Sequence, residues 1–338
     1  MKNKKAIIII ITAIVIVVCF LVCLPTIFLY TGNYTAAVKM GMKEIVIPNG
    51  VTRIEDQAFR GCDTLESIVM PNSVTQIGES AFLFCSNLNR VVFSDNITSI
   101  GDDAFRDCSS LERIVLPNNL RSIGDRAFCD CTSLSDIVMP ESLTGIGHWV
   151  FGNCDNLTEI YIPKKVRTIE GSLGGGVSLE KIDVASENVY YHSKDNCLIE
   201  TYTKTLITGC KNSIIPNDGS IITIGDSAFM GCTQLTEILI PNPITNIGQS
   251  AFSNCTNLKT VIIPKSVEYI GLFAFNDCTA LENATFEKTA NWKLVVDHSV
   301  SSSMPASDPI PVPSSMLKDP TTAAKELKDG WKFLWICK

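Results

Sequence analysis

The chain has 338 residues, with 28 Lys and Arg against 35 Asp and Glu, a formal net charge of −7. A net-acidic chain whose one basic cluster lies in its first five residues is a poor match for nucleic acid, and no nucleic-acid partner is expected. Charged residues make up 19% and apolar residues 46%, too apolar a mixture for a chain disordered along most of its length.

The first elements address a membrane. Residues 1–5, Met1-Lys2-Asn3-Lys4-Lys5, form a basic stub, and residues 6–30 carry no charged side chain. As a helix rising about 1.5 Å per residue, that run reaches roughly 37 Å, enough for a hydrocarbon core of ~30 Å. A secretory signal has a shorter apolar stretch of ~7–15 residues and a small-residue cleavage site. No clear A-x-A-like site follows here. The expectation is a transmembrane signal anchor over 6–30, single-pass, with the lysines cytoplasmic and the rest of the chain outside. The alternative is secretion after cleavage.

The remainder is periodic. Cysteines fall at 62, 85, 108, 131 and 154, then at 232, 255 and 278, each step within a group being 23 residues. Phenylalanines keep the same step at 59, 82, 105, 128 and 151, then at 229, 252 and 275. Isoleucines do so from Ile54 to Ile169 and from Ile224 to Ile270. A period of roughly 20–29 residues with this pattern indicates a leucine-rich-repeat solenoid.

One repeat shows the logic. Leu65, Ile68 and Met70 point inward from a short strand, and Pro71 ends it because proline cannot donate to a ladder. Val74 and Ile77 return across the core, and Gly78 suits a tight turn. Glu79, or Asp102, Asp125 and Asp226 in other repeats, is expected to cap a short helical turn carrying the Ala-Phe pair. One coil cannot bury its own apolar face, but stacked coils bury one another's. The predicted class is an α/β repeat, a solenoid of about nine or ten coils with a parallel sheet on one face.

Repeats are assigned to 42–187 and 219–288. Between them, 188–218 leaves the period, and Cys197–Tyr202 with Thr205–Cys210 read as an inserted β-hairpin. With Thr203-Lys204 as its loop, Cys197 and Cys210 stand opposite each other, and a disulfide is expected outside the cell. Residues 289–338 form a C-terminal segment expected to cap the stack.

The frame L-x-x-I-x-[LIM]-P-x-x-[VL]-x-x-I-G-x-x-A-F-x-x-C resembles the BspA-type leucine-rich repeats of bacterial and protozoan surface proteins. Leu111 to Cys131 fits it position by position. The resemblance covers roughly 42–286 strongly and 319–338 weakly. It implies an extracellular solenoid for adhesion or recognition, with no catalytic residues to carry over. Ser94 and Glu287 depart from it in the proline column.

Cys62, Cys85, Cys108, Cys131, Cys154, Cys232, Cys255 and Cys278 are read as a structural thiol column, because zinc needs converging ligands and a column sends its thiols along the stack. Cys129 is expected to face outward. No metal or cofactor is expected. His148, His192 and His298 are scattered through the repeat cycle, and neither G-x-S-x-G nor H-E-x-x-H occurs, so an enzyme is not expected. A hydrolase in the 188–218 insertion and an envelope scaffold are the competing readings. The binding surface is placed on the outer face of the strands, at Arg90, Val92, Arg113, Val115, Asp136, Val138, Glu159 and Tyr161. An aliphatic stripe beside mixed charges suits a protein ligand.

Overall fold

The computed structural model describes residues 41–174, 177–296, 310–329 and 333–337. The expected basic stub 1–5 and the expected anchor 6–30 lie outside the described residues. Among the described residues no helix is long and apolar enough to cross a membrane.

Each coil has three edges through which coils bond to their neighbours. On the first edge, strand Glu44–Val46 pairs in parallel with Ser67–Val69, which pairs with Arg90–Val92. The register is one coil of 23 residues: Ile45 faces Ile68, which faces Val91. These strands form the face sheet. On the second edge, short strands from Arg53–Ile54 to Thr168–Ile169 form a six-stranded parallel return sheet. The repeats therefore carry two parallel sheets, not the one predicted.

The third edge corrects the expected helical turn. The N–H groups of Gln57, Phe59 and Gly61 donate to the carbonyls of Glu79, Ala81 and Leu83 at 2.8, 2.7 and 2.7 Å. A helix would send these groups back to its own carbonyls. Two successive tight turns, with Gln57 at φ 60° and Gly61 at φ 69°, send alternate N–H groups to the neighbouring coil instead. The same left-handed positions recur at Ser80 and Phe84, and at Asp103 and Asp107. The aspartates cap across coils. Asp56, Asp102, Asp125 and Asp226 Oδ1 accept the N–H of Glu79, Asp125, His148 and Gln249 at 2.7–2.9 Å.

That spacing explains the recurring glycine. A Cβ on Gly124 would lie 2.2 Å from Asp102 Oδ1 and 2.6 Å from its backbone nitrogen. Close approach of coils, not a turn, is what excludes a side chain there.

Inside, the Phe column is a stack of nearly parallel rings. Centroids of Phe59, Phe82, Phe105, Phe128 and Phe151 are 5.0, 4.9, 5.4 and 6.2 Å apart in succession. Phe229, Phe252 and Phe275 repeat this at 5.2 and 5.1 Å. The cysteines lie beside the rings. Cys85, Cys108, Cys131 and Cys154 Sγ donate to the carbonyls of Phe59, Phe82, Phe105 and Phe128 at 3.0–3.3 Å. Cys255 and Cys278 do the same to Phe229 and Phe252. A small, weakly donating side chain is what this edge accepts.

The insertion is a partition, not an appendage. It has three strands, Tyr191–Lys194, Cys197–Glu200 and Thr205–Thr208, the last pairing in parallel with Thr223–Ile224. Tyr191, Leu198, Ile207 and Cys210 join the first core, while Cys197, Ile199 and Leu206 join the second. The Tyr191 hydroxyl accepts the N–H of Ile169 at 2.8 Å, taking over where the first return sheet ends. Gly209 lies under the Phe229 ring, where a Cβ would be 2.1 Å from Cε1.

The far end of the stack is covered by the C-terminal segment. Strand Phe333–Cys337 pairs antiparallel with Tyr269–Ile270 and with Trp292–Val296. Phe286, Trp292 and Trp335 form an aromatic cluster, centroids 5.4–6.4 Å apart. Helix Pro320–Asp329 buries Ala323, Ala324 and Leu327, and Lys328 Nζ donates to the Leu281 carbonyl at 3.0 Å.

Phe105→Ala should cost about 3–5 kcal/mol in urea unfolding followed by circular dichroism. A loss below ~1 kcal/mol would contradict the ring stack. Tyr191→Phe leaves a buried N–H without its acceptor and should cost about 1–3 kcal/mol, whereas no change would remove the hydroxyl from the seam. Burial raises the Cys85 thiol to about 12 and pushes Cys108, Cys131 and Cys154 well above the ordinary range. Mass mapping after iodoacetamide at pH 8 should find these four unlabelled in native protein and labelled in urea. Rapid native labelling would contradict the column.

Candidate functional site

The face sheet's alternation fixes which residues are available. Ile68, Ile114 and Ile160 turn inward and are fully buried. The residue after each inward position of this column turns outward: Val46, Val115, Val138 and Tyr161 are 64%, 57%, 44% and 49% exposed, and Val69 is half-buried. Val92 is exposed to a lesser degree. An aliphatic stripe thus runs across the first block, continued in the second by Leu239 and Ile262.

The predicted charged residues flank the stripe and sort into pairs. Arg113 Nε lies 2.9 Å from Asp136 Oδ2. Glu159 is 4.0 Å from Lys181, which also holds Asp183 at 2.6 Å. Arg90 is exposed and has no ion pair among the described residues. The regular ladder of the face sheet stops at two places in the first block, between Arg90–Val92 and Arg113–Val115, and between Asp136–Val138 and Glu159–Ile162. Both fall where like charges would stand opposite, Arg90 with Arg113 and Asp136 with Glu159. Such pairs are destabilising on neighbouring strands, whereas Arg113 with Asp136 and Glu159 with Lys181 are opposite in sign and regularly paired.

Two clefts border the sheets. One, of about 450 Å³, runs along the return sheet past Ser99, Ser122, Gly145 and Thr168. Its Asp102 and Asp125 carboxylates already accept backbone N–H groups, so they hold the stack. The other, of about 360 Å³, opens on the face sheet of the second block between Ile214-Ile215 and strand Glu237–Leu239. Sequence reasoning missed it. Its one signal was the Ile-Ile-Pro run in an off-period stretch.

Several predicted positions are corrected. Cys129 is buried, not outward, with Sγ 3.2 Å from Asp130 Oδ2, and burial raises its thiol to about 12. Cys197 and Cys210 are free thiols. The hairpin loop is Thr201–Lys204, four residues long, and a bulge pairs Leu198 with Thr208. That register takes the two cysteines off opposition and turns them into different cores. Cys232 is half-buried, and Gly209 takes the Phe place in the coil before it.

The enzyme-type residues do not converge. Burial lowers both His148 and His192. His192 Nδ1 meets Thr201 Oγ1 at 3.0 Å, yet neither residue lines either cleft described above. His298 lies outside the described residues. Among the described residues no group of three His, Cys, Asp or Glu side chains is placed to hold a metal.

Comparison with known proteins agrees with this architecture. Residues 32–130, 81–200 and 199–294 match the family described as BspA type Leucine rich repeat region, in six copies. No curated protein matches the chain. A leucine-rich repeat protein from Eubacterium ventriosum is 28% identical, with TM-score 0.63, over 72% of this chain and 68% of that one. A leucine rich cell surface protein from Faecalibacterium prausnitzii is 25% identical, with TM-score 0.52, over 73% and 88%. The pneumococcal vaccine antigen PcpA shares the fold at 24% identity and TM-score 0.62, over 74% and 73%. With its family match running from residue 32 to 294, the chain belongs to the BspA-type leucine-rich repeat family.

Proposed function

We propose that this protein is a membrane-anchored, surface-exposed recognition protein that binds a protein ligand through the outer face of its face sheet, without catalysis. The observation that carries the reading is the exposed stripe Val46, Val92, Val115, Val138 and Tyr161, bordered by charges on a rigid ladder. A column of exposed apolar side chains rimmed by charges is the kind of surface that marks an interaction site. Membership of the BspA-type family supports recognition as the role. So does the printed description of a structural relative as a cell surface protein. The uncharged run 6–30 behind a basic stub supplies the anchor, with the repeats on the outer side.

Two measurements test this. Protease added to intact cells should remove the repeats, whereas repeats that survive until lysis would place them on the wrong side of the membrane. Surface plasmon resonance against purified matrix, mucin and cell-surface proteins should find a binder. For that binder, Arg90→Glu with Arg113→Glu should weaken affinity by about tenfold or more while circular dichroism shows the array still folded, its melting temperature lowered only by the loss of the exposed Arg113–Asp136 pair. Unchanged affinity in the doubly reversed protein would remove the face from the role.

A further inference from the structure

The face sheet has an open edge in its middle. Strand Glu237–Leu239 begins a three-stranded sheet and pairs on one side alone, with Thr260–Ile263. In the first coils the other side is filled, Ser67 N–H donating to Lys43 C=O and Val69 C=O accepting from Ile47 N–H; Arg113–Val115 and Glu159–Ile162 are one-sided too, but neither lines a cleft described above. At Glu237–Leu239 the preceding segment, residues 212–216, does not fill it. Ile214 N–H donates to Asp195 C=O at 3.1 Å, Ile214 C=O accepts from Cys197 Sγ at 3.6 Å, and Ser213 Oγ donates to Asn196 C=O at 2.6 Å. These contacts tie the segment to the insertion, and among the described residues no backbone hydrogen bond joins it to Glu237–Leu239.

The space left beside that edge is the 360 Å³ cleft, walled by Ile214, Ile215, Ile238, Leu239 and Ile262. Ile214 and Leu239 are 71% and 69% exposed across it. Glu237 is exposed at its rim and has no ion pair among the described residues.

We propose that this cleft captures an extended segment of the partner protein, which adds a strand to Glu237–Leu239, places an aliphatic side chain between Ile214 and Leu239, and sets a Lys or Arg against Glu237. An unpaired strand edge specifies a strand, because its alternating N–H and C=O groups are satisfied by another backbone. A rise of ~3.3 Å per residue lets three residues span the edge strand. The apolar walls select alternate side chains, and Glu237 selects charge. The inference deepens the face-recognition reading and rests on it.

The test uses the full chain in lipid nanodiscs and a displayed library of random hexapeptides, counter-selected on Leu239→Lys protein. Enriched peptides should carry alternating aliphatic residues with a Lys or Arg. A synthetic copy of the strongest should lose about tenfold or more in affinity with Leu239→Lys or Ile214→Lys protein, and similarly when its own backbone amides are N-methylated at alternate residues. Both side chains are exposed, so these variants should keep the wild-type melting temperature. The Arg90→Glu, Arg113→Glu protein should bind the peptide as the wild type does. Three results would overturn the proposal: no enriched peptide, binding indifferent to Leu239→Lys or to N-methylation, or a concentration-dependent dimer of the chain abolished by Leu239→Lys, which would assign the edge to a second copy. Failure here with a protein ligand still sensitive to Arg90→Glu removes the cleft and leaves the face reading standing.

Discussion

Most residue preferences in the repeats follow from one constraint: each coil must hydrogen-bond to the next at strand spacing, on its return and turn edges throughout a block and on its face edge wherever the outward column allows. A single coil leaves its N–H and C=O groups and its apolar ring without partners. Stacking at a fixed register settles both at once, because the residue 23 positions on meets the same surroundings. Glycine at 124 is there because a Cβ would strike the coil before it. The thiols at 85, 108, 131, 154, 255 and 278 are there because each reaches a Phe carbonyl of the previous coil. Aspartate at 102 is there because its carboxylate holds an N–H of the following coil. The rings of Phe82 and Phe105 stack at 4.9 Å because the backbones beneath them are spaced that way.

The same constraint frees the outward positions. On a strand, every second side chain leaves the core, and the ladder does not depend on what it is. Val115 and Arg113 therefore vary from coil to coil without cost to the stack, apart from charge. Where the outward column opposes like charges, the regular pairing of the face sheet stops, and where it opposes unlike ones, an ion pair joins the strands. A rigid frame with a variable outer column is the physical basis for reading this face as a recognition surface. The insertion adds a second feature to that face. It closes two cores with one small sheet, and the face sheet begins again beyond it at Glu237–Leu239.

Much of this was legible in the sequence. The columns at Ile54, Phe59 and Cys62 and their repeats fixed the coil length, the inward residues and the break between blocks. What the sequence hid was direction. The Ala-Phe stretch reads as a helical turn from composition, but only the neighbour's carbonyls decide that its amides point along the stack. Cys129 carries no periodic signal, so its burial beside Asp130 was not visible. The pairing of Cys197 with Cys210 depended on loop length, and two further loop residues with one bulge moved them apart. The open edge at Glu237–Leu239 lies where the off-period insertion rejoins the repeats, and no local pattern records it.

The most direct test of the stacked-coil account is amide hydrogen exchange of the native full chain read by mass spectrometry at single-residue resolution. The account predicts slow exchange recurring every 23 residues at Phe59, Phe82, Phe105 and Phe128, each of which donates to the next coil. Uniformly fast exchange at these amides, or protection without that recurrence, would contradict it.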